Sequence, residues 1–232
     1  MSDDILSHSA WPSSPGVIHG FTTKATLAGG DGLDQILGLP RLRGRFHHAG
    51  RLKQVHGCEV RVEDGGVVEP RTGDALVSDT PGILLTIATA DCLPVLLCAP
   101  RERPVVAAIH CGWRGLRAQI IGKTLQDLSR LFAADARDVQ ACFGPAIESR
   151  CYEIGPEIET PFGARSVVKA DGRIFLDLAM EAQCQLQAGG VAPRNITQAT
   201  WCTKCDPERF YSYRRDGPGT GRMINFIGVT PG

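Results

Sequence analysis

Neither sign of charge is in excess. Over 232 residues, 25 Lys and Arg balance 25 Asp and Glu, and the isoelectric point falls near 7.0. A nonspecific nucleic-acid binder carries a basic surplus, so no nucleic acid is expected as a partner. Long apolar runs are missing too. "ILLTIATA" and "PVLLCAP" fall far short of the ~20 residues that span a bilayer, so no membrane partner is expected. The first residues, "MSDDILSHSAWPSSPG", lack the basic start and apolar centre of a secretory leader, and a cytoplasmic location is expected. Histidine is scarce, at six, and no H-E-x-x-H spacing occurs. That removes the helical zinc signature. "CTKC" (Cys202 and Cys205) has no second Cys-x-x-Cys pair to complete a four-cysteine zinc site. Repeats and low-complexity blocks are absent. A hydrophobic content of 43% suits one domain over residues 1–232. Cysteine, by contrast, is plentiful: nine, an odd number, mostly single within apolar runs. Buried thiols or metal ligands fit this pattern better than disulfides.

The segment from Ala28 to Gly50 is rich in Gly and Arg and predicts loop with one short helix near Leu33–Leu37. Its "GGDG" is a weak phosphate-loop signal, because no strand–loop–helix frame surrounds it. "RLKQVHGCEVRVE" alternates partly and predicts a strand. Three apolar runs follow, Ile83–Thr89, Pro94–Pro100 and Pro104–His110, bounded by Pro and Gly. Their continuous apolar character predicts strands covered on both faces. Their close spacing predicts antiparallel or mixed pairing, since a parallel crossover needs a dozen residues or more. "RGLRAQIIGKTLQDLSRLF" keeps helical spacing at Leu116, Ile120, Leu125, Leu128 and Phe132 and predicts one long amphipathic helix. A strand at Val139–Phe143 and a helix at Leu178–Ala188, capped by Asp177, come next, and "NITQAT" and "MINFIGV" predict closing strands. Strands broken by two main helices, without regular alternation, predict an α+β fold.

A potential metal ligand recurs at or near the ends of the strands: His56 in "QVHG", Cys92 in "TADCLP" and His110 in "AIHCGW". Two histidines and a thiolate make a three-ligand zinc set with the fourth position open, the arrangement of a catalytic zinc. The residues alone also allow Cys92 and His110 to be nucleophile and base, with Asp91 or a backbone group orienting the imidazole. A satisfied core histidine and a packed thiol remain the plainest alternative. "FYSYRRDGPGTGR" gathers Arg214, Arg215 and Arg222 beside aromatics. It reads either as an oxyanion pocket or as a loop held by salt bridges. The CxxC pair reads as half a zinc site, a redox pair or two thiols in a turn.

Taken together, "LKQVHG", "GDALVSDTPGILLTIATADCLPVLL", "VVAAIHCGWRG", "CFGPAIESRCYEIG" and "CTKCDPERFYSYRRDGPGTGR" closely resemble the YfiH/YlmD-type laccase-domain family. The resemblance runs from about Gly50 to the C-terminus. Members were long labelled multicopper polyphenol oxidases and are now regarded as purine nucleoside phosphorylases with adenosine deaminase activity. The resemblance implies layered mixed sheets flanked by helices, a four-layer sandwich similar to the cytotoxic necrotizing factor catalytic domain. It further implies that His56, Cys92 and His110 bind one zinc, with copper the lesser alternative. Two departures stand out. Cys111 replaces the alanine usual in "HAGWRG", and "KATLAGGDGLDQILGLP" is shorter than the family's N-terminal pocket region and lacks its Asn-Arg.

The resemblance implies a zinc-dependent enzyme acting on a small purine nucleoside and phosphate: phosphorolysis of adenosine, inosine or methylthioadenosine, and deamination of adenosine. Asp91 is then the candidate proton shuttle, beside Cys92 and His110, and Arg214 or Arg45 the candidate phosphate holder. Rival readings are a cysteine hydrolase or amidase built on Cys92 and His110, a copper polyphenol oxidase, and a metal-binding domain without activity. No feature of the sequence sets an oligomeric state.

Overall fold

The computed structural model describes residues 5–8, 11–12, 14–26, 33–66, 70–198 and 200–232. The "GGDG" stretch lies outside them. The fold is α+β. Two large sheets form its centre. One has five strands in the order Ile5–Leu6, Val17–Thr22, Met223–Val229, Ile83–Thr89 and His48–Gly50. The other has six, in the order Ile196–Thr197, Gln140–Phe143, Leu93–Ala99, Val105–Cys111, Ala75–Ser78 and Val60–Val62.

Period-2 alternation explains how the sheets stack. In Val105–Cys111, residues 105, 107, 109 and 111 join a core with the helices Ile120–Phe132 and Leu178–Ala188. Val106 and Ala108 face the other way, onto Leu85, Ile87 and Ile227 of the five-stranded sheet. The outer face of that sheet, through Leu84, Ile224 and Phe226, is covered by Ile36 and Leu42. The result is four layers: helix and loop, sheet, sheet, helices. Each fully buried Leu, Ile or Phe contributes roughly 1.5–3 kcal/mol, so the double-faced strands dominate stability.

Three expectations need correction. First, the three apolar runs do not lie side by side. Leu93–Ala99 and Val105–Cys111 pair antiparallel as expected, but Ile83–Thr89 belongs to the opposite sheet. The chain crosses between sheets at Ala90–Cys92, turning at Asp91 with φ +91°. Second, residues 51–63 are not one strand. Leu52–Lys53 and Val60–Val62 are separated by a loop carrying His56. The buried Asp74 carboxylate gathers that loop's N–H groups, which a ladder would have used. Third, the long helix is two, Trp113–Arg117 and Ile120–Phe132, broken at Gln119 with φ +61°. The Leu116 carbonyl accepts from the Gln119 N–H at 2.9 Å and from the Gln185 side chain at 2.7 Å.

Candidate metal centre

The Ala90–Cys92 crossing, the end of Val105–Cys111 and the His56 loop meet at one end of the sandwich. Their donor atoms from His56, Cys92 and His110 all lie within 4.8 Å of one another. The two imidazoles stand edge to face, with ring centroids 4.7 Å apart. His110 is 2% exposed, Cys92 is half-buried and His56 is exposed, so the cluster opens to one side.

Asp74 organises this centre, and sequence reading missed it. It precedes the strand Ala75–Ser78 directly opposite His110, whose backbone N–H donates to the Asp74 carbonyl at 2.8 Å. The His110 ring presents Nδ1 to the Asp74 carboxylate at 2.8 Å. Nδ1–H donates there, so Nε2 is the nitrogen that would face a metal once its proton is displaced, a carboxylate–histidine arrangement known to orient metal ligands. The same carboxylate accepts from the N–H groups of Val55, His56 and Gly57 at 3.2, 2.9 and 2.7 Å. Three successive N–H groups can converge on one anion because His56 adopts φ +59°. A non-glycine residue held left-handed at a candidate ligand is local strain fixed by its surroundings. Burial works against the Asp74 charge, but His110 and these N–H groups outweigh it and hold the carboxyl below its usual range.

Close backbone approach completes the centre. A Cβ on Gly112 would stand 3.1 Å from both Cys92 Sγ and the His56 ring, and one on Gly115 would stand 2.8 Å from the Gly57 carbonyl. The Gln54 side chain both donates to the Ala88 carbonyl, at 2.8 Å, and accepts from its N–H, at 2.7 Å. It thereby ties the His56 loop to the strand that delivers Cys92. Burial disfavours the Cys92 thiolate, but His110 and His56 overcome that and lower its pKa to about 6. Burial likewise opposes the His110 cation, and the Cys92 thiolate and Asp74 reverse the sign and raise it. Two nitrogens and one thiolate, oriented by a carboxylate and open on one side, fit a zinc ion with a free fourth position.

The other sequence candidates are placed as follows. The Asp91 carboxylate accepts from Thr203 Oγ1 and from the Arg214 backbone N–H, both at 2.6 Å. The exposed Arg214 side chain donates to the Glu153 carbonyl at 2.8 Å and lies over the Tyr152 ring at 5.0 Å. Tyr152, another residue not foreseen, is pushed up to about 12 by burial, with the Cys92 charge adding to it. Arg215 is tied to Asp216 and to the carbonyls of Thr203, Lys204 and Phe210. Arg45 lies far off: its neighbour His47 bonds to Gly82, at the start of the strand whose far end leads to Cys92. Seven strand residues separate the two ends, ~20 Å. Cys111 points into the helix-side core, away from the cluster, and burial raises its thiol well above the usual range.

The family described as multi-copper polyphenol oxidoreductase laccase matches residues 40–230. The chain belongs to that family. It is 40% identical over 185 residues to a purine nucleoside phosphorylase of Deinococcus radiodurans, covering 77% of this chain and 69% of that protein. It is 32% identical over 192 residues to adenosine deaminase RL5 from an unknown prokaryotic organism, covering 75% and 72%. The crystal structure of YlmD from Geobacillus stearothermophilus superposes with a TM-score of 0.86 at 26% identity, covering 99% of this chain and 100% of that one. For this laccase-family chain, the resemblance read from five short motifs and the layered α+β architecture both hold.

Proposed function

We propose that His56, Cys92 and His110 hold one zinc ion and that the protein acts on purine nucleosides, cleaving adenosine, inosine or methylthioadenosine with phosphate and deaminating adenosine. The mixed donor set oriented by buried Asp74 carries this reading. The names of the relatives support the substrate class. Zinc, when bound, supplies a Lewis acid that brings the pKa of water toward 7.

The chain's own residues do the rest. Asp74 fixes the His110 tautomer and aims Nε2 at the open side. Tyr152 offers an aromatic wall for a flat base. Arg214, exposed beside it, offers a guanidinium to phosphate. Asp91 holds the Arg214 backbone and the Thr203 hydroxyl, so we assign it to positioning. The proton shuttling expected of Asp91 would require it to release one of those bonds.

Zinc-loaded protein given adenosine and phosphate is expected to yield adenine, hypoxanthine and ribose 1-phosphate, and chelation should abolish turnover. No product from protein that retains its zinc would overturn this reading. One observation favours a second reading, a cysteine hydrolase: Cys92 and His110 lie within hydrogen-bonding reach of one another, with the thiol pKa lowered. A thiol electrophile separates the two. It should spare Cys92 in zinc-loaded protein and label it there only if the thiol is a free nucleophile. A copper-dependent phenol oxidase, the activity in the family's description, would take up oxygen with a phenol when copper-loaded.

A further inference from the structure

We infer a second metal site, formed by Cys151, Cys202 and Cys205, that takes a thiophilic ion of the zinc(II) type. The three sulfurs lie within 4.8 Å of one another, and those of Cys151 and Cys205 are 3.2 Å apart. Sulfurs at zinc–sulfur bonds of ~2.3 Å in a tetrahedron stand roughly 3.8 Å apart, so the Cys151–Cys205 pair opens slightly to take the ion and all three sulfurs are close enough to share it.

Two backbone segments deliver the thiols. Cys151 ends the turn Ser149–Cys151, and Cys202 and Cys205 close the "CTKC" turn. The segments are latched: Ala146 pairs with Cys202, Ala146 N–H donates to the Trp201 carbonyl at 3.2 Å, and Thr203 N–H donates to the Ala146 carbonyl at 3.0 Å.

Backbone N–H groups of Glu148, Lys204 and Cys205 point at the Cys202 sulfur. Such donors favour a thiolate at Cys202, the form that binds metal, whereas burial and the two neighbouring sulfurs push the Cys151 thiol up to about 12, so an ion has to displace that proton. Cys202 is buried while Cys205 is exposed, so an ion has an entry path. The Arg150 guanidinium, paired with Glu148 at 2.8 Å, lies near all three sulfurs and offsets the charge of a three-thiolate set. Water or a small thiol completes the fourth position.

The site also has a structural consequence. Thr203, inside the CTKC turn, holds Asp91, and Ile147 N–H donates to the Asp91 carbonyl at 2.9 Å. An ion joining Cys151 to Cys202 and Cys205 therefore clamps both segments that fix the residue preceding Cys92. The inference does not depend on the substrate of the first centre.

The test uses full-length protein carrying His56→Ala and Cys92→Ala, prepared under reductant, loaded with zinc and desalted. One zinc per chain is expected to remain, with three sulfur neighbours at ~2.3 Å by X-ray absorption. It should be lost when Cys202→Ser and Cys205→Ser are added. A folded His56→Ala/Cys92→Ala protein without zinc overturns the site, as do zinc with only nitrogen and oxygen neighbours and a Cys151–Cys205 disulfide in place of metal. If that variant fails to fold, cobalt titration of the wild-type protein decides. Two equivalents, one with three-thiolate and one with single-thiolate charge-transfer absorption, support the site. A single equivalent of the one-thiolate type overturns it.

Discussion

The two sulfur-bearing clusters are built in opposite ways. His56, Cys92 and His110 come from a loop and from the ends of strands in two facing sheets, and the buried Asp74 orients His110 and the His56 loop through four hydrogen bonds. Cys151, Cys202 and Cys205 come from two adjacent turns and rely on backbone N–H groups. The first has mixed donors, a charged orienter and an open side beside Tyr152 and Arg214, as chemistry requires. The second has thiols only and joins two chain segments, as a clamp requires. A carboxylate behind the ligands is thus the feature that separates a candidate reactive centre from a candidate staple.

The sharpest break in that comparison is Asp74→Ala. It takes the acceptor from three N–H groups of the His56 loop and leaves buried His110 unpaired and unoriented. We expect a loss of about 3–5 kcal/mol in chemical denaturation and no zinc at the first cluster, with the second unaffected. Asp74→Asn, which keeps the shape, should weaken zinc at the first cluster about 10- to 100-fold in chelator competition. Gly115→Ala drives a methyl into the Gly57 carbonyl. It is expected to cost about 1–3 kcal/mol and to weaken zinc at the first cluster alone. Gln54→Ala removes two hydrogen bonds to Ala88 and should lower stability by about 1 kcal/mol for each.

The smallest effect is one of reactivity. In zinc-free protein, alkylation of Cys92 should rise through pH about 6 and fall away below it, because its lowered pKa leaves it a thiolate above that point. Cys98, raised to about 11 by burial, should stay inert at neutral pH. A Cys92 profile matching that of Cys98 would contradict the paired His110.

Much of the first cluster was legible because Cys92 and His110 stand at the ends of apolar strands, where the composition changes abruptly. Asp74 was not. Its signal, an acid directly before the apolar "ALVS", is weak, and only sheet register brings it to His110 across 36 residues. Cys151 was invisible for a similar reason: it lies 54 residues from Cys205, and only the latch at Ala146 brings them together. The break at Gln119 carried no Pro or Gly at its own position, so helical periodicity ran straight through it. One feature was readable and overlooked: "ADGR". Asp171 and Gly172, at φ +49° and +71°, turn the hairpin Val167–Ala170 to Arg173–Leu176, and Asp-Gly is a strong hairpin signal.

Zinc content per chain in wild-type, His56→Ala and Cys92→Ala proteins, each loaded and desalted under reductant, tests the central claim most directly. The account predicts two zinc ions in the wild type and one in each variant. Undiminished zinc in both variants would contradict the His56–Cys92–His110 centre.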